Sequence, residues 1–268
     1  MKFKNKRLDE LIVTLFYVMF AIFVIAIVFV TVFLVKGPRK DVFDVRRSDE
    51  ALVLEDADVT LQKTADYGQN YIDSITFFGD SSIAKMLDLE VLAGGYKSYQ
   101  VWSGEDGDIP LDANIAKISV LFPENDEVVK IDDAMQRRTP KYLIVTLGSN
   151  NGVPYCDKET FMEYYQSIID VIIESSPTTT VILQSIFPVS KKAERKNPAI
   201  TNEKIDMANA WIVELCMKND LKFLNTASVL KNEKGYLNSD YVSEDDISIN
   251  EEGYKKVLRY IRTHGYNN

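Results

Sequence analysis

Ile75-Thr-Phe-Phe-Gly-Asp-Ser-Ser-Ile-Ala-Lys-Met86 is a short apolar run that breaks at Gly-Asp-Ser and resumes as a helix-like segment. A β-branched and aromatic run halted by glycine has the character of a buried strand, and Asp80, Ser81 and Ser82 are residue types that cap a helix start. The stretch reads as a strand that delivers a serine to the beginning of a helix. A hydroxyl at such a turn lies at the carboxyl edge of the sheet, where open α/β folds place ligands and helix N-terminal amides can receive an oxyanion. An ordinary capping turn has the same composition, and the tripeptide alone does not choose between the two.

From Ile75 onward, short apolar runs alternate with longer amphipathic ones, the pattern of a parallel sheet flanked by helices. Strands are expected at Ile75–Phe78, Ser98–Trp102, Tyr142–Leu147, Thr180–Gln184 and Lys222–Leu224. Helices are expected at about Ser82–Leu87, Lys130–Arg138, Asp157–Ser175, Thr201–Lys218 and Asn250–Thr263. Phe161, Tyr165, Ile168, Ile169, Ile172 and Ile173 share one helix face, and Ile205, Ala208, Ile212 and Leu215 another, so both faces are expected to pack on the sheet. Lys117 to Lys130 breaks the alternation. It reads as a hairpin around Pro123–Asp126, inserted near the sheet edge.

Ahead of this region, Leu11 to Val35 carries no charged residue. As a helix it would reach roughly 37 Å at ~1.5 Å per residue, enough to cross a hydrocarbon layer of ~30 Å. A cleaved signal peptide has a shorter apolar region and a small-x-small site after it, which Val32 to Pro38 does not offer, so the anchor is expected to stay. Basic residues stand on both sides of the span: Lys2, Lys4, Lys6 and Arg7 before it, Lys36, Arg39 and Lys40 after it. A small basic head before a single span is the usual signal-anchor arrangement. The expected organisation is a cytoplasmic head (1–10), a transmembrane helix (11–35) partnered by the lipid bilayer, a charged stalk (36–70) and an extracytoplasmic domain (71–268).

The formal net charge of −9 and the lack of a basic cluster interleaved with aromatics in the main domain argue against a nucleic-acid partner. A single histidine and two cysteines, Cys156 and Cys216, leave no Cys/His cluster for zinc, and neither metal nor cofactor is expected. In an oxidising compartment a disulfide between the two cysteines is permitted, but a domain of this size does not demand one.

Two later stretches leave or flank the same sheet edge. Thr146-Leu-Gly-Ser-Asn-Asn-Gly152 follows the third strand and could turn a side-chain amide toward Ser81, and Ser243-Glu-Asp-Asp-Ile-Ser-Ile-Asn-Glu-Glu-Gly-Tyr254 opens the last helix. With these blocks in this order, the region from about Tyr71 to the end resembles the SGNH/GDSL hydrolase family. The resemblance implies a three-layer, flavodoxin-like α/β fold: a parallel sheet with helices on both faces. By the same resemblance Gly79-Asp80-Ser81 supplies the nucleophile Ser81. Gly148-Ser149-Asn150 supplies the oxyanion donor Asn150, beside the Ser81 N–H and a backbone donor matched to Gly104. The family's Asp-x-x-His block is matched by Asp245-Asp246-Ile247-Ser248, with Gly253-Tyr254 behind it, so Asp245 and Ser248 complete the implied catalytic set.

The family's mechanism uses an imidazole to take the serine proton, oriented by the aspartate three residues earlier. Here that position is Ser248, whose hydroxyl is not basic near neutral pH. The lone histidine, His264, lies about thirteen residues of helix further on, roughly 20 Å along the axis, and reads as a helix C-terminal residue. Lys85, one turn beyond Ser81, is a substitute base only if burial lowers its pKa. The spacing Ser82-Ile-Ala-Lys85 and the run Ser149-Asn-Asn151 imitate penicillin-binding enzymes, but no Lys-Thr-Gly follows. Tyr99, Trp102, Tyr155 and Phe187 are candidates to line an acyl or sugar subsite. Cys156 reads as a structural thiol. Two functions remain: a membrane-tethered esterase or deacetylase of the envelope with impaired catalysis, acting on acyl or acetyl esters of glycans, lipids or small molecules, or a non-catalytic acyl- or glycan-binding relative that supports an envelope polysaccharide-modification enzyme.

Overall fold

The computed structural model describes residues 54–266 apart from 56, 113 and 115–117. The expected head and transmembrane helix lie outside these residues, as does the first part of the stalk. Among the described residues no helix is long and apolar enough to cross a membrane.

Five strands, β1 (Ile75–Gly79), β2 (Val101–Trp102), β5 (Tyr142–Thr146), β6 (Thr180–Gln184) and β7 (Lys222–Leu224), form one parallel sheet in the order β2-β1-β5-β6-β7. Among these five the order is 2-1-3-4-5, the flavodoxin-like arrangement that the resemblance implies. The centre is held by the β1–β5 register, from Ile75 opposite Tyr142 to Gly79 opposite Thr146. Alternate residues of each strand face opposite layers. Phe78, Leu143, Val145, Val181, Leu183 and Phe223 pack in one core, and Ile75, Phe77, Ile144, Ile182 and Leu224 in the other. Both faces are covered, so the strands read as continuous apolar runs rather than alternating ones.

The helices are α1 (Gln69–Asp73), α2 (Ser81–Asp88), α3 (Ile131–Arg138), α4 (Lys158–Ser175), α5 (Lys191–Lys196), α6 (Asn202–Asn219), α7 (Ala227–Leu230) and α8 (Glu251–Arg262). The α4 face of Phe161, Tyr165, Ile168, Ile169 and Ile172 and the α6 face of Ile205, Ala208, Ile212 and Leu215 enter the first core. Ile173 of the same expected α4 face stays about one-third exposed, at 37%. Met86 of α2 and Tyr254, Val257 and Ile261 of α8 enter the second core. Side-chain caps start the long helices where the sequence places them: Asp157 accepts from the Thr160 N–H at 2.9 Å, Thr201 from Lys204 at 3.2 Å and Asn250 from Gly253 at 2.9 Å.

The expected hairpin is an antiparallel ribbon, β3 (Ser119–Phe122) with β4 (Glu127–Lys130), and it flanks edge strand β2 through the Leu121 N–H on the Ser103 carbonyl at 2.8 Å. Two boundaries differ from expectation. The strand expected at Ser98–Trp102 shortens to Val101–Trp102, because a 3-10 turn at Gly95–Lys97 precedes it and the Val101 N–H folds back on Ser98. Part of the segment read as stalk, Leu54 and the stretch from Val59 to Leu61, packs on the domain instead. Leu54, Val59 and Leu61 are buried, Phe223 of β7 donates to the Val59 carbonyl at 2.9 Å, and its carbonyl receives the Leu61 N–H at 2.8 Å. The arm covers the open edge of β7, so three apolar side chains amid charged ones gain burial that a solvated stalk would not give them.

Candidate active site

In this strand order the connection from β1 to β2 runs one way along the sheet and the connection from β2 to β5 runs back past β1, and the crevice between the carboxyl ends of β1 and β5 is where such sheets bind ligands. Ser81 stands at the end of β1 and Asn150 just beyond β5. Gly79 permits the closeness of the two strand ends: a Cβ there would lie 2.3 Å from the Thr146 carbonyl oxygen.

Asp80 is buried and does more than cap α2. Its Oδ1 accepts from the Ser82 N–H at 3.1 Å and the Ser82 hydroxyl at 2.7 Å, while Oδ2 accepts from the Ser149 N–H at 3.0 Å and its hydroxyl at 2.7 Å. Burial pushes the Asp80 carboxyl above the usual carboxylate range, and the bonds from Ser149 and Ser82 pull it back. The result is a rigid clasp between the loop that carries Ser81 and the loop that carries Asn150.

Asn150 Nδ2 donates to Ser81 Oγ at 2.6 Å. The same amide reaches Asp108 Oδ1 at 3.4 Å, Asn151 Nδ2 donates to Asp108 Oδ2 at 3.1 Å, and the Ser81 N–H donates to Asp108 Oδ1 at 3.2 Å. Asp108 was not among the residues that the sequence singles out. It lies in the loop after β2, within a charged Glu-Asp-Gly-Asp run whose only local signal is a turn. Gly104, expected as a backbone oxyanion donor, opens this loop. A Cβ at Gly104 would stand 1.9 Å from the Asp108 carbonyl oxygen, so the glycine lets the loop fold onto itself and carry Asp108 to Ser81.

Ser81, Asn150 and Ser248 line one cavity of about 90 Å³ together with Ser82, Ser149, Phe187, Pro188, Val189, Ile200, Ile205, Ile247, Ile249 and Tyr254. The Ser248 hydroxyl donates to Asp245 Oδ2, and the Ser248 and Ile247 N–H groups donate to Oδ1 at 2.8 and 2.7 Å. Partial burial opposes ionisation of Asp245, but bonds from Ser243, Ser248 and Ile247 prevail and hold its carboxyl well below the usual range. Its neighbour Asp246 adopts a positive φ of 67° and pairs with Lys192 at 2.7 Å and Lys196 at 3.0 Å. Its carbonyl also receives the Ser190 hydroxyl at 2.8 Å, so α5 anchors the loop that presents Ser248. The Tyr254 hydroxyl donates to the Ser82 carbonyl and joins α8 to α2 across the cavity.

The opposite wall is held by two asparagines that the sequence reading passed over. Asn209 accepts from the Ile186 N–H at 2.7 Å and donates to its carbonyl at 3.2 Å. Asn202 does the same for Val189, at 3.0 and 2.9 Å. Both are buried on α6, seven residues apart and thus two turns along one face. Their signal is a pair of amides beside the apolar stripe of Ile205, Ala208 and Ile212.

Other candidates fall elsewhere. His264 stacks on Tyr260 with centroids 3.7 Å apart and its Nδ1 lies 2.9 Å from the Tyr260 carbonyl oxygen, so it serves the end of α8 and does not line the cavity. Burial lowers its pKa. Lys85 pairs with Asp88 at 3.3 Å and is likewise absent from the lining. Of the four aromatics, Phe187 lines the cavity; Tyr99 and Tyr155 are exposed, and Trp102 is buried against Phe122. Cys156 and Cys216 are free thiols. Burial and the adjacent Asp157 push the Cys156 thiol up, away from reactivity. Among the described residues no three His, Cys, Asp or Glu side chains gather as a metal site.

Several solved structures are similar to this chain. A candidate platelet activating factor from Streptococcus pneumonia is 17% identical, with a TM-score of 0.48 over 89% of this chain and 97% of its own. The OSK domain of Drosophila Oskar is 15% identical, with a TM-score of 0.47 over 82% and 97%. A Clostridium thermocellum family 3 carbohydrate esterase is 15% identical, with a TM-score of 0.45 over 70% and 93%. No curated protein matches the chain. The GDSL-like Lipase/Acylhydrolase family model matches residues 73–256, from the approach to β1 into α8, and the chain belongs to that family.

Proposed function

We propose that this protein is a membrane-tethered ester hydrolase of the cell envelope, acting outside the cytoplasm on acyl or acetyl esters of glycans, lipids or small molecules, with turnover far below that of a complete triad. The observation that carries the reading is the 2.6 Å hydrogen bond from Asn150 to Ser81 Oγ at an apolar cavity. A hydroxyl aimed at a ligand space, with a fixed amide beside it, is the arrangement that acyl transfer needs. Phe187, Val189, Ile200 and Ile205 give the cavity an apolar lining that suits the acyl part of an ester. Leu11 to Val35 supplies the tether, with Lys2, Lys4, Lys6 and Arg7 on the cytoplasmic side.

In the reaction, Ser81 Oγ bonds to the ester carbonyl carbon, the carbonyl π pair moves onto its oxygen as an oxyanion, and the hydroxyl proton passes to water. The tetrahedral intermediate then collapses, the bond to the alkoxide breaks and the alkoxide takes up a proton; water repeats the sequence to free the acid. Each proton transfer lacks the family's imidazole. Ser248 stands at its position, and the Ser248 proton is already donated to Asp245. In serine hydrolases the loss of one triad member lowers turnover on the order of 10⁴- to 10⁶-fold, while the remaining site retains about 10³–10⁴ over water.

Ser248 also favours a second reading, in which the domain binds an acyl or glycan group without hydrolysing it and supports a partner enzyme of envelope polysaccharide modification. Hydrolysis of p-nitrophenyl acetate by the full chain, compared with Ser81→Ala and Ser248→His, separates the two. Slow turnover lost in Ser81→Ala, with a large Ser81-dependent gain in Ser248→His, supports the hydrolase. Absence of turnover in all three would sink it.

A further inference from the structure

Asp108 occupies the position that the chemistry reserves for something else. Its Oδ1 accepts from the Ser81 N–H at 3.2 Å and from Asn150 Nδ2 at 3.4 Å, and its Oδ2 from Asn151 Nδ2 at 3.1 Å. The Ser81 N–H and the Asn150 amide are the donors that a carbonyl oxygen needs as it takes negative charge. A carboxylate oxygen within hydrogen-bond distance of the same nitrogens uses those hydrogens and repels a second anion placed beside it. The seated carboxylate and a bound oxyanion are therefore alternatives.

Asp108 is placed to leave. It is half-buried, in a loop that turns at Gly104 and Gly107, with the Gly107 N–H on the Gly104 carbonyl at 2.9 Å. Among the described residues its carboxylate bonds are with Ser81, Asn150 and Asn151, so a side-chain rotation releases it to solvent without moving the sheet. Asn150 then keeps its bond to Ser81 Oγ and gains a free hydrogen for the ligand.

We propose that Asp108 is an autoinhibitory residue that fills the oxyanion site of the resting protein, so that an acyl ester enters only when the Asp108 carboxylate swings out. The proposal rests on the hydrolase reading above. It implies that the cradle of Ser81, Asn150 and Asn151 is a carboxylate-binding site in its own right, occupied here by the protein's own side chain.

The test uses the full chain and Asp108→Ala, each with and without Ser248→His. In the first measurement the side-chain amide resonances of Asn150 and Asn151 are followed by NMR while sodium acetate is added. They are expected to shift on substitution and to move back, saturably, as acetate fills the cradle of Asp108→Ala, and to ignore acetate in the parent. In the second, Ser81 is labelled with a fluorophosphonate and followed by intact mass: the Oγ–P bond forms, the P–F bond breaks, fluoride leaves and the hydroxyl proton passes to water. Labelling is expected to be about tenfold faster in Asp108→Ala, and Asp108→Asn, which removes the charge and turns one of the two acceptor oxygens into an NH2 donor, is expected to fall between. Acetate that moves no resonance in the variant, or Ser81 labelling that occurs but is equally fast or slower there, overturns the proposal. Acetate binding in Asp108→Ala with no Ser81 labelling in any background would keep Asp108 in its place and remove the hydrolase reading instead.

Discussion

Asp80 Oδ2 accepts both the backbone N–H and the hydroxyl of Ser149, at 3.0 and 2.7 Å, and thereby locks the end of β1 to the loop after β5. Asp80→Ala would leave four donors from Ser82 and Ser149 without their acceptor in a partly buried setting. Unsatisfied buried groups cost about 1–3 kcal/mol each, partly relieved by water, so a loss of about 3 kcal/mol in unfolding free energy is expected. Urea denaturation checks it; an unchanged midpoint would mean that the clasp is not structural.

Asn150 is expected to matter only once a base is present. In the Ser248→His background, Asn150→Ala should lower the rate of ester hydrolysis on the order of 10²- to 10³-fold, the usual effect of removing one oxyanion donor. A steady-state assay with and without the asparagine reads this directly, and a loss confined to KM would assign Asn150 to ground-state binding.

Asn209 tests how firmly the wall is held. Asn209→Ala leaves the buried N–H and carbonyl of Ile186 without partners, and a loss of about 2–4 kcal/mol is expected. Faster amide hydrogen exchange at Ile186 and Phe187 than elsewhere in the sheet would localise the effect to the cavity wall.

Asp245 sets a pH dependence. Partial burial raises its pKa, but the bonds from Ser243, Ser248 and Ile247 outweigh it, so the folded value lies below the unfolded one. The stability it contributes is therefore present above the ordinary carboxylate pKa of about 3.9 and is lost as pH falls through the lower folded value. Carboxyl ¹³C titration should show a depressed midpoint that moves up in Ser248→Ala. A midpoint at the ordinary value would remove the Ser248–Asp245 bond.

The strands and helices were legible in the chain because each rests on local chemistry. Phe77 and Phe78 serve opposite cores, so the run around them is apolar throughout, and Asp157, Thr201 and Asn250 cap helices with their own side chains. The same locality exposed Gly79-Asp80-Ser81, Asn150 and the Asp245–Ser248 block, since their residue types and order survive without coordinates.

What the linear chain could not disclose are contacts made across it. Asp108 reaches Ser81 over a separation of 27 residues, and nothing in Glu-Asp-Gly-Asp distinguishes a solvated turn from a carboxylate seated on the oxyanion donors. Val59 and Leu61 looked like part of a stalk until β7 offered an edge to pair with. Asn202 and Asn209 are ordinary helix residues until the loop after β6 brings unpartnered backbone groups against them. Propensity and apolar spacing are properties of neighbours in the chain, and they decided the elements. Hydrogen-bond partners are properties of neighbours in space, and only the folded sheet, by bringing the ends of β1, β2 and β5 together, decided which groups surround Ser81.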